Sequence, residues 1–156
     1  MSVTIALADL EQVVEGWANH PELWRPLVRH EEDERVYALL HRDDQIELYV
    51  VCWMNGHDTG FHDHDQSAAA VGVLEGEVTE QRLALTGTVE ATLTRGDVVT
   101  IAREAIHRVR HTGEGPAVTL HAYSPPLERV GTYEVAEDGA LLRHPRPAEV
   151  PLQAVA

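Results

Sequence analysis

Cysteine and long apolar runs are scarce in this chain. Cys52 is the single cysteine among 156 residues, so no disulfide can form within the chain. No apolar run is long enough to cross a membrane. The N-terminal residues include Asp9, Glu11 and Glu15 and lack the basic start of a secretory signal peptide. We therefore expect a cytoplasmic protein, in a reducing compartment, that does not enter a membrane.

Basic residues are also few. The chain has 12 Lys and Arg against 26 Asp and Glu, which gives a formal net charge of −14. A surface of that sign repels phosphate backbones and anionic lipids, which argues against nucleic acid and membrane partners. It also does little to attract an anionic substrate, so a substrate carboxylate would need a local Arg or Tyr to hold it.

Periodicity changes from helical to strand-like along the chain. Residues 4–18 repeat apolar side chains at helical spacing, and Pro21 can open a second short helix through Val28. From residue 35 onwards, short β-type runs alternate with turn signals, which is typical of an all-β sandwich or barrel. The predicted strands are Arg35–His41, Ile46–Met54, Ala68–Leu74, Val78–Leu85, Val89–Thr94, Val98–Ala102, Ile106–Arg110, Ala117–Tyr123, Tyr133–Val135 and Ala140–Arg143.

The length favours a single domain. A chain of 156 residues can bury one sizeable core but is short for two. We predict one domain over residues 1–156, with a helical N-terminal cap at about 4–28 and a barrel at about 35–143. The Pro-rich tail from Pro145 is predicted to be extended.

A short polar stretch places two histidines at metal-ligand spacing. His62-Asp63-His64 follows a turn that starts near Gly56. On extended backbone, residues i and i+2 face the same side, so His62 and His64 can offer two imidazoles to one metal ion. The same pattern also occurs as two surface histidines in a polar loop.

The wider pattern resembles the cupin superfamily. Gly56 with the His-x-His pair, closed by Gly76, matches the first cupin motif, and Gly96 with His107 matches parts of the second. The resemblance implies a cupin small β-barrel, also called a double-stranded β-helix or jelly roll, with a short N-terminal helical segment. Cupins usually add a Glu ligand a few residues after the His-x-His pair, whereas residues 65–70 contain none.

The metal ligands that this resemblance implies are His62, His64 and His107, without a carboxylate. Three neutral ligands leave a divalent metal ion its full charge and up to three open positions. An anionic thiolate can supply the missing negative charge, which favours a thiol as the substrate.

Further stretches are similar to the cysteine dioxygenase type I family, over about residues 35–130. They are Cys52-Trp53, His62 to Ser67, Leu74-Glu75-Gly76, His107, and His121 to Pro126. Thr119, His121 and Tyr123 match the family's Ser-x-His-x-Tyr pattern and share one strand face. The resemblance implies one Fe(II) per chain, O₂ as co-substrate, and a catalytic Tyr123 that His121 and Thr119 orient.

This resemblance implies a thiol dioxygenase that oxidises a small thiol to its sulfinic acid, in the first place L-cysteine to cysteine sulfinate. 3-Mercaptopropionate or another small thiol is the alternative substrate. A non-catalytic metal- or small-molecule-binding cupin is the alternative function. A small-molecule thiol is thus the expected partner, and we expect a monomer or a weak homodimer.

Two residues depart from the mammalian-type pattern. Ala69 stands where those enzymes have the cysteine that cross-links to the active-site tyrosine, so no such link to Tyr123 can form. The chain is similar in this respect to the bacterial type, which lacks the cross-link. Thr119 replaces the Ser; its hydroxyl can make the same hydrogen bond, but its methyl group restricts the rotamer.

Arg35 and Tyr37 are the candidate substrate-binding residues. They alternate on one face of the first strand, and family members that use cysteine hold its carboxylate with an Arg, often with a Tyr, from an early strand. A two-pronged Arg–carboxylate contact is strong and selective. The alternative is that Arg35 is a surface charge that pairs with Glu31 or Glu34.

Overall fold

The computed structural model describes residues 5–149, and strands dominate that range because β-type runs between turns fill it. The helices are α1 (Leu7–Ala18), α2 (Pro21–Trp24) and a 3₁₀ turn (Arg25–Leu27). The strands are β1 (Val36–Arg42), β2 (Glu47–Trp53), β3 (His62–Asp63), β4 (Ala68–Glu75), β5 (Glu77–Ala84), β6 (Gly87–Thr94), β7 (Val98–Ile101), β8 (His107–Arg110), β9 (Ala117–Ser124), β10 (Arg129–Val135) and β11 (Leu141–Pro147).

The strands form two antiparallel sheets. Sheet A has the order β1-β2-β9-β4-β7, and sheet B has the order β11-β10-β3-β8-β5-β6. Strands distant in sequence therefore become neighbours, as β2, β9 and β4 do at the centre of sheet A. The all-β fold class predicted from the sequence is confirmed.

Two layers of apolar side chains hold sheet A in place. Every residue of β9 and nearly every residue of β4 is buried, because the two faces of these strands are both covered. On one face α1 packs with Leu10 and Val14. On the other face, Trp53 and Val73 pack with residues of sheet B such as Val109. No helix within residues 5–149 is long and apolar enough to span a membrane.

The predicted helical start is confirmed over Leu7–Ala18; residue 4 lies outside the described range. The division into one domain with a cap and a barrel stays a prediction. The strand β3 was missed, because two residues cannot show an alternating pattern. β11 continues to Pro147, beyond the predicted end of its strand, which proline tolerates because β11 is an edge strand of sheet B.

The contact between α1 and β4 depends on Gly72. A Cβ atom there would lie 2.7 Å from Val14 Cγ1. We expect Gly72→Ala to lower the free energy of unfolding by about 1–3 kcal/mol through overpacking, as measured by urea denaturation. Gly16→Ala is the matched control, because its Cβ would meet nothing within 4 Å and the residue lies within a helix. This control should be neutral or stabilising by up to about 1 kcal/mol.

The double variant Gly72→Ala/Val14→Ala should lose less stability than the sum of the two single losses, since the two side chains would compete for one space. Equal stability of the Gly72→Ala and Gly16→Ala proteins would contradict this account of the helix contact.

Candidate metal centre

Three buried histidines meet in sheet B. His62 on β3 stands directly opposite His107 on β8, and His64 follows β3 by one residue. The three side chains are 3%, 2% and 1% exposed in the order His62, His64, His107. One ring nitrogen from each lies within 4.8 Å of the others, so the group could hold a metal ion. The structure thus brings together the three ligands expected from the sequence.

The spacing and the protonation state of these rings suit a metal. The Nε2 atoms of His64 and His107 are 3.4 Å apart. Two nitrogens that each lie about 2.1 Å from one ion, at roughly 90–110°, are separated by about 3.0–3.4 Å. Burial lowers the pKa of His62 to about 4, and it lowers the pKa values of His64 and His107 well below 6.5. The neutral imidazoles that result are the form that binds metal.

Hydrogen bonds orient two of the three rings. His62 Nδ1 donates to the Gly60 carbonyl oxygen at 3.0 Å, and His107 Nδ1 donates to Glu80 Oε2 at 2.9 Å. Because a carbonyl and a carboxylate only accept, both Nδ1 atoms carry the proton and both Nε2 atoms are left for a metal. His64 Nδ1 is buried and has no hydrogen-bond partner among the described residues.

Glu80 was not identified from the sequence. It lies on β5, is 4% exposed, and also accepts a hydrogen bond from Arg82 Nε at 2.8 Å. The one available signal was an acid two residues after the apolar Val78, on the same face of a predicted strand. The metal-competent group within residues 5–149 consists of histidines alone, and Asp65 pairs with Arg143 at 3.1 Å.

Thr119, His121 and Tyr123 form a hydrogen-bonded row along β9. Thr119 Oγ1 is 2.7 Å from His121 Nε2, and His121 Nδ1 is 3.4 Å from Tyr123 Oη. Trp53 Nε1 donates to Thr119 Oγ1 at 2.8 Å. Trp53 is fully buried, and its role as an N–H donor was not identified from the sequence.

Hydrogen bonds along this row can be donated in one direction that gives every buried polar group of the row a partner. Thr119 Oγ1 accepts from Trp53, and its own hydrogen finds an acceptor only if it donates to His121 Nε2. His121 then carries its proton on Nδ1 and donates to Tyr123 Oη. The phenolic hydrogen of Tyr123 is left free to donate elsewhere.

Burial keeps these groups neutral. It lowers the pKa of His121 to about 3, and it raises the pKa of Tyr123 far above its usual range, helped by the nearby Tyr37 and Tyr49. Tyr123 therefore keeps its proton and can act as a hydrogen-bond donor. Its ring centroid lies 5.2 Å from that of His64, which puts the phenol beside the three histidines.

A cavity of about 380 Å³ joins the histidines to the first strand. The predicted site residues that line it are His62, His107, His121, Tyr123, Arg35 and Tyr37. Two other predicted site residues, His64 and Thr119, are not among the lining residues. Tyr49 also lines the cavity and was missed; its ring is edge-on to that of Tyr123, with the centroids 6.3 Å apart.

Arg35 is a buried cavity residue rather than a surface charge. It is only 9% exposed, and its Nε donates to Tyr37 Oη at 2.8 Å. Its guanidinium carbon lies 5.2 Å from the ring centroid of Trp53. Arg35 also contributes to the lowering of the pKa values of His62 and His121, so its charge acts within this cavity.

The cross-strand register explains why no thioether link is possible. Ala69 on β4 stands directly opposite Tyr123 on β9. The single cysteine, Cys52, is opposite Val118 and packs in the core next to α1. Burial raises the pKa of its thiol, which suits an unreactive core residue.

Two facing antiparallel sheets with this histidine group define a cupin-type protein with a metal-competent centre. A protein of Thermus thermophilus has a similar fold, with a TM-score of 0.59 and 23% identity over 65% of this chain and 92% of that one. A cupin superfamily protein of Desulfitobacterium hafniense gives a TM-score of 0.55 and 16% identity, covering 65% of this chain and 87% of that one.

The sequence also matches the family described as cysteine dioxygenase type I over residues 3–136, and the chain belongs to this family. Cysteine dioxygenase type 1 of Danio rerio is 24% identical over an alignment of 149 positions, which covers 85% of this chain and 72% of that protein. The chain is therefore an oxidoreductase of this family. The fold and the family predicted from the sequence are both confirmed.

The Glu80–His107 hydrogen bond should tune metal affinity. We expect Glu80→Gln to weaken metal binding by about 10–100-fold, because the amide is a weaker acceptor for the imidazole N–H and can expose a donor to it. The measurement is a Co(II) titration followed by visible absorption. Glu77→Gln, at the exposed start of the same strand, is the control and should bind like the unaltered protein. Equal affinity of both variants would argue against a role for Glu80.

Proposed function

We propose that this protein is an iron(II)-dependent thiol dioxygenase that oxidises a small carboxylate-bearing thiol, in the first place L-cysteine, to its sulfinic acid. The reaction adds both atoms of O₂ to one sulfur, RSH + O₂ → RSO₂H, and therefore needs no external reductant. The observation that carries the proposal is one cavity lined by ligand histidines, a protonated Tyr123 and the guanidinium of Arg35.

The donor set fits iron(II). His62, His64 and His107 are neutral nitrogen ligands without a carboxylate, so a bound divalent ion keeps its charge and open positions. Iron(II) held there would supply the acidification of the substrate thiol and the redox chemistry of O₂. The three histidine ligands are neutral, so the anionic sulfur of the substrate would supply the negative charge that the divalent ion lacks.

Arg35 would hold the substrate carboxylate. Tyr37 accepts from Arg35 Nε, which orients the guanidinium, and the terminal nitrogens of a guanidinium are donors that suit a carboxylate. The aromatic faces of Tyr37 and Trp53 beside the guanidinium stabilise its charge away from water. With the carboxylate at this end of the cavity and the histidines at the other, the thiol of a short amino acid or mercapto acid would point to the metal centre.

Tyr123 would donate a hydrogen bond to the reacting sulfur or dioxygen. Its hydroxyl accepts from His121 and so has its own hydrogen available on the cavity side. The high pKa of Tyr123 excludes a phenolate at neutral pH, so its role is donation and positioning rather than transfer of a full charge. His121 and Thr119 act through Tyr123 by setting the direction of that hydrogen.

The activity itself is tested with protein purified anaerobically and loaded with one Fe(II). We expect O₂ consumption and sulfinate formation with cysteine or 3-mercaptopropionate, in equal amounts. Tyr123→Phe should keep the iron and lower kcat. Absence of O₂ uptake with every small thiol tried, in protein that retains iron, would overturn the proposal in favour of a non-catalytic metal-binding cupin.

Substrate recognition is tested by Arg35→Ala. Loss of a charged hydrogen-bond partner, worth about 1.5–3 kcal/mol, should raise KM by about 10–100-fold for thiols with a carboxylate. Cysteamine, which has no carboxylate, should show little change. Arg29→Ala is the matched control, because Arg29 also lines the cavity but its side chain is 71% exposed. An unchanged KM for cysteine and 3-mercaptopropionate in Arg35→Ala would locate the carboxylate elsewhere.

A further inference from the structure

We propose that Asp63 and Arg143 form a clamp that holds His62 and His64 in metal-binding geometry, so that metal affinity depends on the C-terminal hairpin β10–β11. The clamp lies outside the ligand set and outside the cavity. This inference rests on the metal site of the proposed function and is independent of its substrate.

Asp63 lies between the two ligand histidines but points the other way. Because side chains alternate on extended backbone, the two imidazoles face the metal centre while the Asp63 carboxylate faces β10 and β11. Asp63 is 7% exposed. Any shift of this residue would therefore move both flanking histidines together.

Five donors converge on this one carboxylate. They are Arg143 Nε at 2.9 Å, Arg143 Nη2 at 3.0 Å, the Gly131 backbone N–H at 3.1 Å, the Asp65 backbone N–H at 2.9 Å, and the Tyr133 hydroxyl. A buried carboxylate is costly unless it is paired and fully hydrogen-bonded. The two-pronged guanidinium contact fixes the orientation of the carboxylate plane as well as its position.

Gly131 makes room for the guanidinium. It stands opposite Asp63 on β10, and a Cβ atom there would run into the guanidinium of Arg143. Replacement by any larger residue would therefore push Arg143 away from Asp63. The glycine explains how an arginine from β11 can reach across β10 to β3.

A short stretch of β10 and the contacts of Asp63 hold the hairpin against β3. Every residue of β11 is exposed, and β11 is the edge strand that pairs with β10 only. β10 in turn pairs with β3 at only two positions, at Asp63 and His62. The side chain of Arg143 thus makes the main polar contact between β11 and β3. It also contacts Asp65, which follows β3, at 3.1 Å. Coupling of this kind is reciprocal: a bound metal should also steady the hairpin.

The test compares Arg143→Gln with Arg146→Gln, a control at an exposed arginine of the same strand that makes no ion pair among residues 5–149. The full chain is stripped of metal and titrated with Co(II), a probe that needs no O₂ and no substrate. We expect about tenfold weaker binding in Arg143→Gln, the lower end of what residues behind metal ligands contribute, and unchanged binding in Arg146→Gln. Arg143→Lys, which keeps the charge without the two-pronged contact, should recover part of the affinity.

A second measurement distinguishes a specific effect of the clamp from a general loss of stability in the variant. Hydrogen exchange of the β10 and β11 amides should slow on Co(II) binding in the unaltered protein and in Arg146→Gln, but much less in Arg143→Gln. Should Arg143→Gln not fold, Arg143→Lys carries the same comparison. If the unaltered protein binds Co(II) and Arg143→Gln binds it equally well, only the clamp is wrong. If the unaltered protein binds no Co(II), the metal site of the proposed function fails as well.

Discussion

The pairing of His62 with His107 across β3 and β8 is the contact on which the site depends. β3 has two residues, so its own backbone hydrogen bonds cannot fix it firmly. Its position comes from both sides: the Thr59 backbone N–H and hydroxyl bond to Val109 on β8, and Asp63 ties it to β10 and β11. A metal ion held by histidines on so short a strand would need these neighbours, because displacement of one histidine by an ångström would break the ligand geometry.

The two sheets contribute different parts of the candidate site. Sheet B supplies the histidine group, whereas sheet A supplies Tyr123 on its central strand and Tyr37 on its edge strand. Burial acts on the two sets in opposite directions: it lowers the pKa of His62 and raises that of Tyr123. Both effects leave the imidazole and phenol groups of the cavity neutral, whereas the guanidinium of Arg35 is a buried positive charge in the same wall.

Local periodicity predicted the faces of residues but not their partners. Alternation was enough to place Thr119, His121 and Tyr123 on one side of a strand, and to offer His62 and His64 to one ion. The residues that stabilise these groups come from far along the chain: Glu80 is 27 residues before His107, and Arg143 is 80 residues after Asp63. Which strands become neighbours is decided by packing of the whole barrel, and a single sequence carries no periodic signal for it. β3 could not be predicted because two residues show no alternation, whereas the longer strands could.

The absence of a cross-link makes the hydrogen-bonded row on β9 more important. With Ala69 opposite Tyr123, no covalent bond can fix the phenol, so its position depends on non-covalent contacts. Thr119 has fewer rotamers than Ser would have, and its hydroxyl is further fixed between Trp53 and His121. The Thr119 side chain therefore loses less conformational entropy when the row forms. This favours one orientation of His121 and, through it, one orientation of the Tyr123 hydroxyl. Thr119 and the buried indole of Trp53 thus restrict the Tyr123 hydroxyl through non-covalent contacts, where a covalent link would otherwise restrict it.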